Sequence, residues 1–428
     1  MLVVTANWAI SDGTLTAAGA DLSPVWLPAV HRAALRAGVC RDGRYRPVTG
    51  IELVLAGDTF DWLTSRIWTA DVRPWQGGPR ARAARMAVTL ATVRRARRLL
   101  AALAAWSRMG LSVPTADRLG RPRLEPRCRV PVRVTLLSGD RDRWLEATAD
   151  AAAAHGCGVG RVWSDGDVLV RHGDELDPLC GDAEVGLSRP DDDRQPTLGE
   201  SLAVDLVAHF GNAVLDGSSG HQPVRRLVTA LSRIGPGDMP GVFAAWRATP
   251  DGGGGLPAAA RERVVTAWRR AVAAWHQETQ RLPPVCGMAC TACDAWAAWL
   301  DAAGSIDGAD RATARARAAL AEFFAPAFTR AAGQGTPPRR PRGAGPAASV
   351  FGHPTALPDT GGQLPVCLGP PVPRPWRGVP PTPLTVAARR TEAGIAWEWL
   401  LDDPAGEAPV AMRTAGGDDD RLPWVDAA

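Results

Sequence analysis

Residues 53–63 read LVLAGDTFDWL. An unbroken apolar run enters a glycine and then two acids three positions apart, Asp58 and Asp61. A short apolar run closed by a turn residue predicts a buried strand, and the glycine permits a tight turn and close backbone approach beside the first acid. The same grammar recurs four times. The strand-like stretches 2–10, 131–138, 167–171 and 347–351 run into Ser11-Asp12, Gly139-Asp140-Arg141-Asp142, His172-Gly173-Asp174 and Gly352-His353-Pro354-Thr355. In α/β sheets, ligands bind in the crevice outside the carboxyl ends of the strands. Five strand ends that carry acids and imidazoles therefore predict one shared site, however far apart they lie in the sequence. Carboxylate and imidazole donors together suit Mn, Fe or Zn.

Working outward, 428 residues with 46% apolar and 22% charged side chains allow two or three domains with real cores. That composition excludes a disordered or collagen-like chain. Every one of the 49 basic residues is arginine, and tryptophan (17) far exceeds tyrosine (1), a skew that reads as genome composition rather than function. A net charge of +4 gives no concentrated basic field and so no clear nucleic-acid partner. No apolar stretch approaches the ~20 residues that span a bilayer. The first residues lack a secretory pattern, so a cytoplasmic location is expected. Eight scattered cysteines do not read as a disulfide framework.

Strands at 2–10, 51–56, 131–138, 159–163, 167–171, 347–351, 363–367, 384–390 and 394–400 alternate with helices at 24–38, 80–108 and 142–154, the pattern of an α/β protein. Ser164-Asp165-Gly166 predicts a hairpin between 159–163 and 167–171. From 178 to 345 helical periodicity takes over, at 198–210, 222–234, 257–281, 292–302 and 309–332, and ends in the Pro/Gly-rich linker 333–346. The expected organisation is a core of 1–177 and 346–401, a helical insertion or cap at 178–345, and a flexible tail at 402–428.

In their order, these blocks resemble the calcineurin-like metallophosphoesterases. LVLAGDTFDWL and VLVRHGDELD (168–177) are most similar to the UDP-diacylglucosamine pyrophosphohydrolase-like branch. The resemblance implies a β-sandwich flanked by helices and a centre of one or two divalent metals, with Asp58 as the shared carboxylate. It implies a metal site of Asp58, Asp140, His172 and His353, and Asp12 in the other. Where the family carries histidines, this chain has Thr14, Arg141 and Thr355. An arginine holds its proton at ordinary pH, so Arg141 is expected to contact phosphate rather than act as an acid. Mg with its waters is the alternative occupant of the Asp12 site. The implied activity is metal-dependent hydrolysis of a phosphoester or pyrophosphate, on a small phosphorylated, nucleotide or lipid-linked substrate. The alternative is a relative that keeps the fold as a binding or scaffold protein without turnover.

Cys286, Cys290 and Cys293 have the spacing of a cluster-binding motif but sit among helices, and read as ordinary thiols, with a zinc site as the alternative. Arg80, Arg82, Arg85, Arg94, Arg95, Arg97 and Arg98 load one predicted helix beside an apolar stripe of Val93, Ala96, Leu100 and Leu103. That is a solvated face, or else a peripheral membrane contact.

Overall fold

The computed structural model describes residues 1–16, 23–40, 42–165, 168–174, 180, 196–216, 222–248, 256–281, 290–304, 348–351, 366–367, 385–391 and 394–399. In chain order the first elements are β1 (Leu2–Thr5), β2 (Ile10–Ser11), α1 (Ser23–Ala37), β3 (Ile51–Ala56), β4 (Phe60–Asp61), α2 (Gly78–Arg95) and α3 (Arg97–Met109). There follow β5 (Leu111–Ala116), β6 (Pro122–Val130), β7 (Val132–Leu137), α4 (Ala149–Ala154), β8 (Cys157–Gly160), β9 (Val162–Asp165) and β10 (Val168–Arg171). Then come the helices α5 (Leu198–Ser201), α6 (His209–Asp216), α7 (Gln222–Arg233), α8 (Met239–Ala248), α9 (Ala258–Arg281) and α10 (Cys290–Ala303). The last strands are β11 (Ala348–Phe351), β12 (Val366–Cys367), β13 (Thr385–Thr391) and β14 (Gly394–Trp399).

The larger sheet has the order β14-β13-β1-β3-β7-β8, and a second has the order β12-β11-β10-β9. Strands β1, β3, β7 and β8 run parallel. The chain returns from residue 348 onward to both sheets, β13 antiparallel to β1 and β11 parallel to β10. Successive side chains on a strand point to opposite faces, which explains the apolar continuity of the larger sheet. Leu2, Val4, Val54, Ala56 and Leu137 share one cluster with Val168 and Val170 of the second sheet. Val3, Leu53, Leu55, Val132, Val134 and Leu136 join the other face to Trp26, Ala29 and Ala33 of α1 and Leu99 and Leu103 of α3. Both faces of this mixed α/β sheet are therefore covered, one by a second sheet and one by helices.

Helices α5 to α10 build their own core around Phe210, Phe243, Trp246, Trp268 and Trp275. Phe243 and Trp268 stack with ring centroids 4.3 Å apart. Between α5 and α6 the helix continues through a π-helical stretch, Leu202–Ala208. Ala203 and Val204 of that stretch enter the apolar cluster of the larger sheet, so the π segment is where the helices meet the core. Beside it Arg73 grips Asp205 through its Nε.

Several expected elements differ. The helix expected at 80–108 is two, broken at Ala96, whose ψ of 0° leaves the helical range. The break resets the buried face, so Ala96, Leu99 and Leu103 reach the sheet while Val93 is 38% exposed. The strand expected at 159–163 is divided between β8, which pairs with β7, and β9, which forms the hairpin arm with β10. In place of a helix at 142–154 there is a 3-10 turn at Arg143–Thr148 followed by the single turn of α4. The hairpin β5–β6 is absent from the expected elements, because Pro114, Pro122 and Pro126 read against a strand; as a separate two-stranded ribbon it tolerates them. The linker 333–346, the tail 402–428 and the helix expected at 309–332 lie outside the described residues.

Candidate metal centre

Three of the expected ligands meet. Asp58 follows β3, Asp140 follows β7 and His172 follows β10, and one donor atom from each lies within 4.8 Å of the others, all three side chains being buried. The turn after β3 brings this about through two successive left-handed residues, Gly57 at φ 91° and Asp58 at φ 50°. A side chain on Gly57 would occupy the position of the His172 ring, and one on Gly139 would meet the Asp58 carboxylate and backbone. Both glycines are therefore required by close approach, not only by turn geometry. A non-glycine residue held at positive φ stores strain that the surroundings must over-determine, and such residues cluster at functional sites.

His172 Nδ1 lies 2.9 Å from the carbonyl oxygen of Ala56, while Nε2 faces Asp140 Oδ1 at 3.0 Å and Asp58 Oδ1 at 3.5 Å. Donation from Nδ1 to the carbonyl leaves Nε2 as the atom that meets the carboxylates. Burial works against a charged imidazole here, yet Asp58 and Asp140 outweigh it and hold His172 well above the usual histidine range. Burial and then the charge of Asp140 push Asp58 up to about 6, against the pull of His172 and Arg141.

Asp142, fully buried, is the scaffold of the site. Its Oδ1 accepts from Gly139 N–H at 2.7 Å and its Oδ2 from Phe60 N–H at 3.1 Å, tying the loop after β7 to the one after β3. Aromatic stacking reinforces the tie, with Trp62 lying 4.8 Å from Trp144 and nearly parallel to it. The Arg141 side chain runs into the cleft, 9% exposed. Its Nε lies 3.9 Å from Asp58 Oδ2, its Nη1 lies 3.8 Å from Asp61 Oδ1, and its Nη2 donates to the Ile234 carbonyl at 3.2 Å. Burial opposes this charge, but Asp61, Asp140 and Asp58 more than offset it and raise the guanidinium's pKa.

Asp12 is not among the three clustered residues. Its Oδ1 accepts from the Thr14 backbone at 2.9 Å and from the Thr14 hydroxyl at 2.8 Å, and its Oδ2 accepts from Ser65 at 2.5 Å. Thr14, where the resemblance puts a histidine, thus serves as a prop for Asp12. Asp174 turns towards Arg143, 3.7 Å away. His353 and Thr355 lie outside the described residues. Two further groups without a sequence signature, Asn7 and Arg233, line a narrow cleft with Asp58, Asp140 and Arg141. Asn7 lies at a left-handed turn after β1, a position a polar residue tolerates and periodicity does not flag. Arg233 ends α7, and nothing in its helical spacing separates it from a solvated arginine.

The donor set suits a divalent cation, with two carboxylates and one imidazole of fixed orientation converging in a buried site. No protein-family model, no curated protein and no solved structure matches the chain. Among the described residues, no helix is long and apolar enough to cross a membrane.

Proposed function

We propose that the chain is a metal-dependent phosphoesterase or pyrophosphohydrolase of the calcineurin-like type, with its sandwich of two sheets serving as that family's core. The observation that carries this reading is the buried convergence of Asp58, Asp140 and His172 with the Arg141 guanidinium beside them. A divalent ion held by these three side chains supplies Lewis acidity, lowering the pKa of water and polarising a phosphoryl oxygen.

The remaining work belongs to the chain. Arg141, fixed by Asp58, Asp61 and the Ile234 carbonyl, presents a permanent charge to the phosphoryl oxygens and is the second cation of the site. Water adds to phosphorus as the bond to the leaving oxygen breaks; the leaving group departs as its anion, and the proton given up by water passes to solvent. Since Arg141 keeps its proton, leaving groups that are stable as anions are favoured. The competing reading, a binding protein without turnover, is favoured by one observation: both oxygens of Asp12 already accept hydrogen bonds, from Thr14 and Ser65.

Metal content of the purified chain together with hydrolysis of an activated phosphodiester under Mn(II) tests the proposal. Tight uptake of metal with turnover is expected, and both should be lost in Asp58→Asn. Metal without turnover leaves the binding-protein reading, and neither metal nor turnover ends both.

A further inference from the structure

Two arginines from distant parts of the chain face the same cleft. Arg141 comes from the loop after β7 and Arg233 from the end of α7, and both line it together with Asn7. Arg141 Nη1 is buried without a hydrogen-bond partner. Arg233 has no ion pair within 4 Å among the described residues. Asp61 attracts it and Arg141 repels it, and burial, the larger effect, holds its pKa below the ordinary arginine range. Arg141 has Asp58 and Asp61 within 4 Å, whereas the half-buried Arg233 has no such partner among the described residues; desolvating that charge costs folding free energy, and an incoming anion that reaches both Arg233 and the open Nη1 of Arg141 would relieve it. A guanidinium fork matches a phosphate bidentately.

We propose that Arg233 and Arg141 form a binding site for a phosphate dianion, so that the helical segment supplies a residue that selects phosphomonoesters over phosphodiesters. A terminal phosphate carries two charges and three free oxygens; a diester carries one charge and two. Two guanidiniums in one narrow cleft favour the former. The inference rests on the hydrolytic reading for the direction in which the ligand lies, with its phosphoryl group towards Asp58 and Asp140, while the anion site itself requires no turnover.

The test is calorimetric titration of inorganic phosphate into the wild type and Arg233→Gln, each in Mn(II) and in EDTA. Loss of hydrogen bonds to a charged group predicts weakening by about 10- to 100-fold in the variant, with Mn(II) uptake unchanged and partial recovery in Arg233→Lys. Equal phosphate affinity in wild type and Arg233→Gln overturns the proposal, as does no phosphate binding by wild type in either medium. If Mn(II) does not bind, the hydrolytic reading fails alone and the EDTA arm still decides the anion site. Where turnover exists, Arg233→Gln should lower kcat/KM for phenyl phosphate far more than for an activated diester, and equal losses overturn the monoester preference. A measurement that needs no variant uses phenylglyoxal on the wild type. Phosphate should slow labelling of Arg233 but not of exposed Arg97, and unchanged labelling at Arg233 again overturns the proposal.

Discussion

The ring of His172 sits 2.9 Å, through Nδ1, from the carbonyl oxygen of Ala56, the last residue of β3. The strand that delivers Asp58 thus also fixes the direction in which its imidazole neighbour faces. Asp58 and the carbonyl that orients His172 are two residues apart on one backbone, so a disturbance of that turn should reach the proposed metal site before it reaches the sheet.

Gly57→Ala tests this directly. The added methyl enters the space of the His172 ring and stands at φ 91°. A cost of about 1–3 kcal/mol in stability is expected from overpacking. Metal affinity should fall about 10- to 100-fold, as for loss of an outer-shell partner. Denaturant melts and competitive metal titration read the two effects, and an unchanged affinity would show that His172 is not a ligand.

Metal uptake should depend on pH through the same side chain. Without metal, His172 is held well above the usual histidine range, its burial outweighed by Asp58 and Asp140, so it carries a proton at neutral pH. Binding must displace that proton. Affinity should therefore rise with pH, by about tenfold for each step of one in pH while His172 remains the protonated group. Calorimetry in buffers of different ionisation enthalpy should count close to one proton released, and release of none would remove His172 from the centre.

Arg141→Met removes a buried cation from between two carboxylates and strands Asp58 and Asp61 without their counter-charge. Breaking a buried pair by deleting one partner costs about 3–5 kcal/mol, visible in a thermal melt. Any phosphoesterase turnover should fall by about 10²–10³. Arg141→Lys, a point charge without the fork, should restore part of the stability and less of the rate.

The junction between helices and core has its own pH signature. Burial pushes Asp205 up to about 6, although Arg73 pulls the other way. A carboxyl whose proton is held more tightly in the folded state than in the unfolded chain stabilises most below the unfolded value of 3.8, and that contribution is lost as pH rises through about 6. The wild type should therefore lose about 2–3 kcal/mol relative to Asp205→Asn between pH 4 and 7, since each tenfold difference in proton affinity between the two states is worth about 1.4 kcal/mol. Paired urea melts at the two ends of that window check it, and parallel curves would sink it.

How much was legible in the sequence follows from what each residue contributes to a local pattern. Asp58, Asp140 and His172 could be found because each closes an apolar run with a glycine alongside, and strand ends of one sheet converge by construction. Asp12 carries the same local signature, and only the observed hydrogen bonds from Thr14 and Ser65 show its carboxylate engaged elsewhere. Arg233 was invisible, since its place in the cleft depends on how α7 packs and not on its spacing along α7. The break at Ala96 was hidden for a related reason: the helix propensity of 80–108 is continuous, and the demand to bury Leu99 and Leu103 against the sheet is what interrupts it.

The pairing of Leu2 with Ala388 and of Val168 with Ala348 has a consequence for how the molecule is made. Contacts this far apart along the chain close slowly, because the loop entropy must be spent before the contact is rewarded. On the ribosome, β1 and β10 emerge with one edge open and stay so while the more than a hundred residues between β10 and β11, helices α5 to α10 among them, are synthesised. The helices, whose contacts are local, are free to consolidate first. The nascent half-sheet is then the aggregation-exposed species until the final strands arrive, and the burden of chaperoning falls on that interval.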